Sequence, residues 1–505
     1  MYIRQFGGPS HDFAQAAAIH SGSTYVAGYT MGALPGQASS WGQDAFLRRY
    51  DSSGAEVWTR QFGSSGDDVA AAIVADSGGV YVAGSTSGAL PGQTAGGSYD
   101  AFVRKYDLAG NELWTRQFGT SGIEQALGAA VDATGVYIAG YTSGTLAGQT
   151  SAGGPYDAFL AKYDLNGNPL WMRQFGSAGI DTAYAVSAAG GAIYVAGDTT
   201  DALAGPGSYL GGYDAFVRKY DSGGAAGWTR QFGTGGTDSA RRIAADASGF
   251  YLAGSRNGPF FGRYDATGVE QWSRQLAYPL TLVSGVAASG GGVLISGEAS
   301  GALPGQTGAG GRDVFIRGYD GSGNEVWTRQ FGSAGSDFAA GLAADAGSAS
   351  LSGSTDGVLA GQTSAGGADA FAVAISVAAQ SPPPAVTARE AIIEVNEARP
   401  AHNSGTFTAA TPGDPVTITA SLGRVEQAGN SSGYWHWFLP ASDGPMNRTV
   451  TITAADGKGG AASASFQPEF PFWLPVRKQY TPTPPSCEPP WSVLIIREPC
   501  SSPHG

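Results

Sequence analysis

Trp58-Thr-Arg-Gln-Phe-Gly63 is a phrase of six residues whose core, Arg-Gln-Phe-Gly, returns along the chain at a nearly constant interval. Its glutamine recurs at seven positions, the sixth of them in a weakened copy: Gln5, Gln61, Gln117, Gln174, Gln231, Gln275 and Gln330. The intervals are 56, 56, 57, 57, 44 and 55 residues. A period of this length is typical of supersecondary units that are stacked or arranged around an axis. This part of the chain is therefore built from seven copies of one unit.

Each unit contains four short runs with the composition of β-strands. In the second unit these runs are 68–76, 80–84, 100–107 and 112–119, and Gly, Ser, Asp or Asn bound them. The runs are rich in β-branched and aromatic residues, and no helical periodicity accompanies them. Four strands in each of seven units predict an all-β fold, a seven-bladed β-propeller of four-stranded blades. An open solenoid is the alternative.

The turn between the third and fourth strands is the most regular feature of the unit. It follows the pattern Tyr-Asp-x-x-Gly-x-x-x-Trp in six units, as from Asp51 to Trp58 and from Asp320 to Trp327. Glycine supplies a positive φ at low steric cost, and the Asp side chain can accept bonds from nearby backbone amides. We expect the Trp ring to pack between neighbouring blades, where it buries a large apolar area. A row of rings for ligand stacking is the alternative.

The seventh unit has three strands, and its missing fourth strand stands at the other end of the chain. Met1-Tyr-Ile-Arg-Gln-Phe-Gly7 aligns with the fourth strand of the first unit, with Tyr2 in the position of Trp58. We therefore expect residues 1–7 to complete the seventh blade beside residues 369–377. Such closure removes the sheet edges that invite aggregation. The propeller then covers residues 1–379, and a Pro-rich linker covers 380–386.

Beyond the linker the repeat disappears, but short alternating strands continue through residues 387–468. Their number and spacing favour a small β-sandwich. The last stretch, 469–505, contains nine of the prolines and both cysteines, Cys487 and Cys500. Its composition predicts a disordered tail, with a frameshifted or chimeric gene end as the alternative.

Composition excludes several classes of function. The formal net charge is −13, which disfavours nucleic-acid partners because it repels their phosphate backbones. No apolar stretch is long enough to span a membrane. The sequence has no His and Cys cluster with zinc spacing, and no nucleophile motif accompanies His11. We therefore expect neither catalysis nor a bound organic cofactor, and Ca²⁺ is the one candidate metal ion.

Two series of acidic residues recur on the side of the units that carries the long loops. The first series stands seven residues after the repeat glutamines: Asp12, Asp68, Glu124, Asp181, Asp238 and Asp337. The second series opens the third strand: Asp44, Asp100, Asp157, Asp214, Asp313 and Asp369. Carboxylates gathered at one rim could hold Ca²⁺, which takes about six to eight oxygen ligands. The favoured interpretation is that they cap Gly-rich turns through side chain-to-backbone bonds.

The repeat resembles the bacterial β-propeller repeat family called SBBP, through Tyr-Val-Ala-Gly, Asp-Ala-Phe-Val-Arg-Lys-Tyr-Asp-x-x-Gly and Trp-Thr-Arg-Gln-Phe-Gly. Residues 394–466 are similar to bacterial immunoglobulin-like surface repeats, through Gly-Tyr-Trp-His-Trp437 and Val450-Thr-Ile-Thr-Ala-Ala-Asp-Gly. These resemblances imply an extracellular or cell-surface protein and no particular activity. The Asp-x-x-Gly-x-x-x-Trp turn is also similar to the tryptophan-docking motif of pyrroloquinoline quinone propellers.

We accordingly expect a monomeric, non-catalytic binding or scaffold protein that holds a protein or glycan partner on its loop-rich face. A Ca²⁺- or glycan-binding lectin-like propeller and a quinone-dependent dehydrogenase are the alternatives. In the fifth unit Asn257-Gly-Pro joins the second and third strands directly, and we expect the resulting notch to be the docking point. Because Met1 lies inside a repeat and no signal peptide is visible, we expect a lost leader or a gene fragment.

Overall fold

The computed structural model describes residues 1–345, 347–377, 384–394, 400–410, 413–440, 449–455 and 461–469. Throughout these residues the regular structure is β-strand, arranged in nine sheets of four strands each. Within them no helix is long and apolar enough to cross a membrane.

The strands are given in chain order. The first thirteen are β1 Tyr2–Phe6, β2 Asp12–His20, β3 Ser23–Thr30, β4 Asp44–Tyr50, β5 Glu56–Phe62, β6 Asp68–Asp76, β7 Gly79–Thr86, β8 Asp100–Tyr106, β9 Glu112–Phe118, β10 Glu124–Asp132, β11 Gly135–Thr142, β12 Asp157–Tyr163 and β13 Pro169–Phe175. The next fifteen are β14 Asp181–Ala189, β15 Ala192–Thr199, β16 Asp214–Asp221, β17 Ala226–Phe232, β18 Ser239–Asp246, β19 Gly249–Ser255, β20 Pro259–Asp265, β21 Glu270–Gln275, β22 Leu280–Ser289, β23 Gly292–Ala299, β24 Asp313–Tyr319, β25 Glu325–Phe331, β26 Asp337–Ala344, β27 Ser348–Thr355 and β28 Asp369–Ser376. The last eight are β29 Ala385–Val386, β30 Ile392–Glu394, β31 Ala401–Thr408, β32 Thr417–Ala420, β33 Arg424–Ala428, β34 Ser432–Leu439, β35 Val450–Ala455 and β36 Ala461–Glu469.

Seven of the sheets come from the seven repeat units. Six of them are simple antiparallel meanders of four consecutive strands, beginning with β2-β3-β4-β5 and ending with β22-β23-β24-β25. The seventh has the order β26-β27-β28-β1, so its fourth strand comes from the amino terminus. β1 pairs antiparallel with β28, from Tyr2 opposite Ala374 to Phe6 opposite Ala370.

The first strands of the seven sheets are called here the inner strands: β2, β6, β10, β14, β18, β22 and β26. Each inner strand contacts the inner strand of the next sheet, and β26 contacts β2. Apolar clusters fill the spaces between sheets, as where Leu47 of one sheet packs with Ile73 and Phe102 of the next. Because both faces of a sheet are covered, β7 is buried at all eight positions and shows no alternation. The result is a β-propeller-like repeat fold.

The tryptophans of the Asp-x-x-Gly-x-x-x-Trp turns pack between neighbouring sheets, as the sequence predicts. Trp58 donates its Nε1–H to the carbonyl of Leu108 in the next unit, at 3.2 Å. Its ring covers Gly110, where a Cβ atom would lie 2.8 Å from the ring atom Cδ2. Gly110 has a φ of 85°, so both conformation and space require glycine in this turn. Tyr2 covers Gly54 in the same way, so the amino-terminal strand uses the same contact.

The last two sheets have the orders β29-β31-β34-β33 and β30-β36-β35-β32. Their facing side chains share one core, in which Trp437 meets Phe466 edge to face at 4.9 Å. Ala385 and Val386, inside the expected linker 380–386, form β29 and pair with β31. The expected tail lies outside the described residues from position 470 onward.

Candidate functional site

The repeat glutamine organises the long loop between the second and third strands. Gln61 Nε2 donates to Asp44 Oδ2 and to the carbonyl of Gly32, both at 2.8 Å. Its Oε1 accepts from the backbone N–H of Leu34, at 2.9 Å. The same bond to the second acidic series recurs at 2.7–2.9 Å from Gln5, Gln117, Gln174, Gln231 and Gln330. The glutamine is therefore an internal brace of the loop.

The acids of the first series cap the segment that joins one sheet to the next. Each accepts a bond at 2.5–2.8 Å from the backbone N–H four residues earlier: Gly8, Ser64, Thr120, Ser177, Thr234 and Ser333. All six acids are fully buried. These bonds are the turn capping favoured by the sequence analysis.

The acids of the second series close the long loop from its other end. Besides the glutamine amide, each accepts a backbone N–H at 2.7–3.0 Å from within its loop: Ser40, Gly96, Ala152, Leu210, Ala309 and Ala365. None of these carboxylates is more than 2% exposed. They lie inside the rim and not on its surface.

The structure brings the twelve carboxylates together as six separate pairs, one at each of six junctions between sheets. Each pair flanks the glycine of the repeat phrase. A Cβ atom on Gly63 would lie 2.3 Å from Asp44 Oδ1 and 2.7 Å from Asp68 Oδ2. This glycine is therefore required for space, because any side chain would strike both carboxylates.

Burial is the main influence on the pKa of four of these carboxyl groups. It raises the pKa of Asp12, Asp68, Asp181 and Asp337, and the neighbouring carboxylate of each pair adds to the effect. Two carboxylates supply fewer oxygens than the roughly six to eight that Ca²⁺ takes. In the described residues no group of three or more His, Cys, Asp or Glu side chains is arranged to hold a metal ion. The Ca²⁺ alternative stays a prediction.

A cavity of about 160 Å³ lies where the inner strands meet. Residues of all seven inner strands line it. Every inner strand has a β-bulge at the corresponding position, where the pairing with the second strand skips one residue. The skipped residues differ from unit to unit: Gln15, Ala71, Leu127, Tyr184, Arg241, Ser284 and Ala340. Five of these seven residues line the central cavity: Gln15, Ala71, Leu127, Tyr184 and Ala340.

Of the two adjacent arginines of β18, Arg241 and Arg242, only Arg242 lines the central cavity. The Arg241 guanidinium carbon lies 4.7 Å from the centre of the Tyr184 ring. Asp198, which is 2% exposed, lies near both of these side chains, and burial raises its pKa to about 6 while Arg241 opposes the rise. Burial, with the charge of Asp198, raises the pKa of Tyr184 to about 12. Arg242 turns into the cavity itself.

The exposed apolar side chains of the loop-rich side belong to single units. Trp41 is 79% exposed, Leu210 55% and Tyr278 81%. Tyr278 stands beside the expected notch, because Leu276 donates its backbone N–H to the carbonyl of Pro259 at 2.8 Å. The notch itself is a tight turn with a φ of 55° at Asn257.

The sequence predicts the recurring carboxylates but not the central cavity. Its signal lies in the residue that follows each bulge, which is small in six units: Ala16, Ala72, Gly128, Ala185, Gly285 and Gly341. The fifth unit has Arg242 instead. An alignment of the units on their inner strands would have shown this substitution.

Comparison with known proteins gives limited similarity. No family model matches the chain. The regulatory protein FlaEY of Caulobacter vibrioides is 28% identical over 204 residues, which cover 36% of this chain and 21% of that protein. The chain therefore spans about a fifth of the length of this curated relative.

Several solved structures are similar in part. Raptor of Chaetomium thermophilum has a TM-score of 0.40 at 9% identity, over 74% of this chain and 30% of that one. Sqt1 of the same organism, bound to the N-terminus of ribosomal protein L10, has a TM-score of 0.37 at 10% identity, over 92% and 98% of the two chains. The extracellular region of plexin A4 has a TM-score of 0.33 at 10% identity, over 92% and 61%.

Proposed function

We propose that the seven repeat units form a closed seven-bladed β-propeller joined to an immunoglobulin-like sandwich, and that the protein is a non-catalytic binding or scaffold protein. Two contacts support the closed ring: β1 pairs with β28, and the inner strand β26 contacts β2. A closed ring has a fixed rim, and a rigid scaffold with variable loops is a common basis for binding.

One observation carries the proposal of binding without catalysis. The recurring polar residues already have structural contacts: the carboxylates, present in six units, are buried, and the glutamines bond the loops. Trp41 and Tyr278, which belong to single units on the loop-rich side, are by contrast largely exposed. Exposed aromatic side chains are enriched at protein interfaces, so the partner we propose is a protein.

The position of Tyr278 beside the short turn at Asn257 supports the notch as the centre of this interface. The loops of the neighbouring units are longer, and they would flank a partner that enters there. The outer strands give a matched control surface, since Leu113 and Leu170 are 52% and 51% exposed but recur as part of the repeat.

A site-specific photo-cross-linking experiment tests the proposal. A photoreactive amino acid replaces Trp41, Tyr278, Leu113 or Leu170 in the full chain, and cross-linked proteins from the native cell are identified by mass spectrometry. We expect one dominant partner from the two rim positions and none from the two outer positions. Equal capture from all four positions, or none from the rim, would refute the interface.

Location is a separate part of the proposal. The resemblance to bacterial surface repeats supports an extracellular or cell-surface protein that acts as a monomer. Labelling of intact cells with a membrane-impermeant reagent tests the location, and light scattering of the purified chain tests the monomer. Labelling only after lysis, or a mass of two or more chains, would contradict the respective statement.

A further inference from the structure

Arg242 is the one residue of the central cavity that breaks the small-residue pattern of the inner strands. Six units have alanine or glycine at this position, and the cavity is otherwise lined largely by apolar residues. A large cationic side chain in such a place has no counterpart elsewhere in the repeat. The repeat architecture therefore does not require an arginine at this position.

The Arg242 side chain reaches across the cavity toward the sixth and seventh sheets. Its Nε–H donates to the carbonyl of Ser284 at 2.6 Å, and Nη1 donates to the carbonyl of Arg241 at 2.9 Å. Nη2 donates to the carbonyl of Ala340 at 3.3 Å. These three carbonyls belong to the bulge residues of three successive sheets. The guanidinium has five N–H donors in all, so these bonds leave two of them unused.

The charge of Arg242 has no counter-charge nearby. Among the described residues it forms no ion pair with a carboxylate. The carboxylate of Asp198 interacts electrostatically with Arg241, the residue that precedes Arg242. Burial lowers the pKa of Arg242 to about 10, with a smaller contribution from Arg241. Backbone carbonyls compensate this half-buried cation only in part, so an anion that entered the cavity would be attracted to it.

We propose that the central cavity binds a small oxyanion, a carboxylate or phosphate group, through the two unused N–H donors of Arg242. The planar guanidinium suits two parallel bonds to such a group. A cavity of about 160 Å³ has room for a phosphate or for a carboxylate on a short side chain, because one water occupies about 30 Å³.

The group can be a free anion or an acidic side chain or chain terminus of a partner. The second source rests on the proposed function, because it requires a protein partner on the loop-rich side. The net charge of −13 opposes every anion at long range, but salt screens exposed charges beyond about 8 Å at physiological ionic strength. We therefore expect weak binding by free anions, in the millimolar range, and stronger binding by a tethered group.

Calorimetric titration and thermal melts of the full chain with inorganic phosphate or sodium acetate test the site, with sodium chloride at equal ionic strength as the reference. We expect saturable binding and a raised melting midpoint with at least one of the two oxyanions. Arg242→Gln should abolish both effects. Arg116→Gln is the matched control, because Arg116 also donates to a backbone carbonyl, that of Gly167 at 2.7 Å, but lies on an outer strand.

Arg242→Lys keeps the charge without the planar fork, and it should bind the same oxyanion about tenfold more weakly. If Arg242→Gln does not fold, Arg242→Lys still tests the proposal. Unchanged oxyanion binding by Arg242→Gln or by Arg242→Lys, or a wild-type response equal to that with chloride, would overturn the inference.

A short peptide ending in two aspartates distinguishes the sources. Tighter binding of the peptide than of acetate assigns the oxyanion to a partner, and equal or weaker binding assigns it to a free anion. Both results agree with an oxyanion site at Arg242, provided that Arg242→Gln abolishes binding of the peptide and of acetate. The proposed interface does not depend on this result, because cross-linking at Trp41 and Tyr278 tests it separately.

Discussion

Replacement of Gly63 by alanine tests the account of the repeat phrase. The new Cβ atom would lie 2.3 Å from Asp44 Oδ1 and 2.7 Å from Asp68 Oδ2, so at least one carboxylate must move. Asp44 Oδ2 is held by Gln61 at 2.8 Å, and Asp68 Oδ2 is held by the N–H of Ser64 at 2.6 Å. A lost bond to a charged group costs about 1.5–3 kcal/mol, and overpacking adds about 1–3 kcal/mol. We expect Gly63→Ala to lower the free energy of unfolding by about 3–5 kcal/mol.

Urea unfolding followed by tryptophan fluorescence measures this loss. Gly235→Ala is the control, because a Cβ atom there meets nothing within 4 Å and its φ lies outside the left-handed region. The control should lie within about 0.5 kcal/mol of the wild type, as surface substitutions usually do. A Gly63→Ala protein as stable as Gly235→Ala would show that the carboxylates are not fixed as described.

Three further predictions concern the tryptophan contact, acidity and metal. Trp114→Ala should cost about 3 kcal/mol in unfolding free energy, because the ring covers Gly167 and bonds Leu165; a loss under 1 kcal/mol would contradict that contact. The pKa of Asp198 is raised to about 6, so this residue contributes to the free energy of unfolding while it is protonated. That contribution is fully present below pH 4 and is lost as the pH rises through 6. Between pH 4 and pH 7 the free energy of unfolding of Asp198→Asn should therefore rise by about 2–3 kcal/mol relative to that of the wild type. Profiles of unfolding free energy against pH that run parallel for the two proteins would refute this. A chelator should leave the melting midpoint unchanged, because each junction offers only two carboxylates; a fall of several degrees would restore the Ca²⁺ alternative.

The strands of the repeat unit could be predicted from the sequence because each residue of the repeated phrase makes a contact that recurs in the structure. Arg60 Nε donates to the carbonyl of Gly110 in the next unit at 2.7 Å, and Gln61 braces its own loop. Phe62 meets Phe102 of the next sheet edge to face at 5.8 Å. Residues with such contacts must recur wherever the contact recurs, so their spacing reveals the architecture.

The central cavity and the pairing of carboxylates were not predictable in the same way. Asp44 and Asp68 stand in different units of the sequence, and only the packing of one sheet on the next brings them to either side of Gly63. The position of Arg242 depends on a bulge in each inner strand, which a single sequence does not reveal. The alternative of one rim of Ca²⁺ ligands did not anticipate that these acids are buried in separate pairs.

Hydrogen–deuterium exchange of the amino-terminal strand tests the closed ring most directly. Tyr2–Phe6 pairs with β28 as Glu56–Phe62 pairs with β4, so both are outer strands bonded on one side. We expect amides of the two strands to exchange at similar, slowed rates in the native protein. Exchange of Tyr2–Phe6 at the rate of an unfolded peptide, with Glu56–Phe62 still protected, would contradict the closed ring.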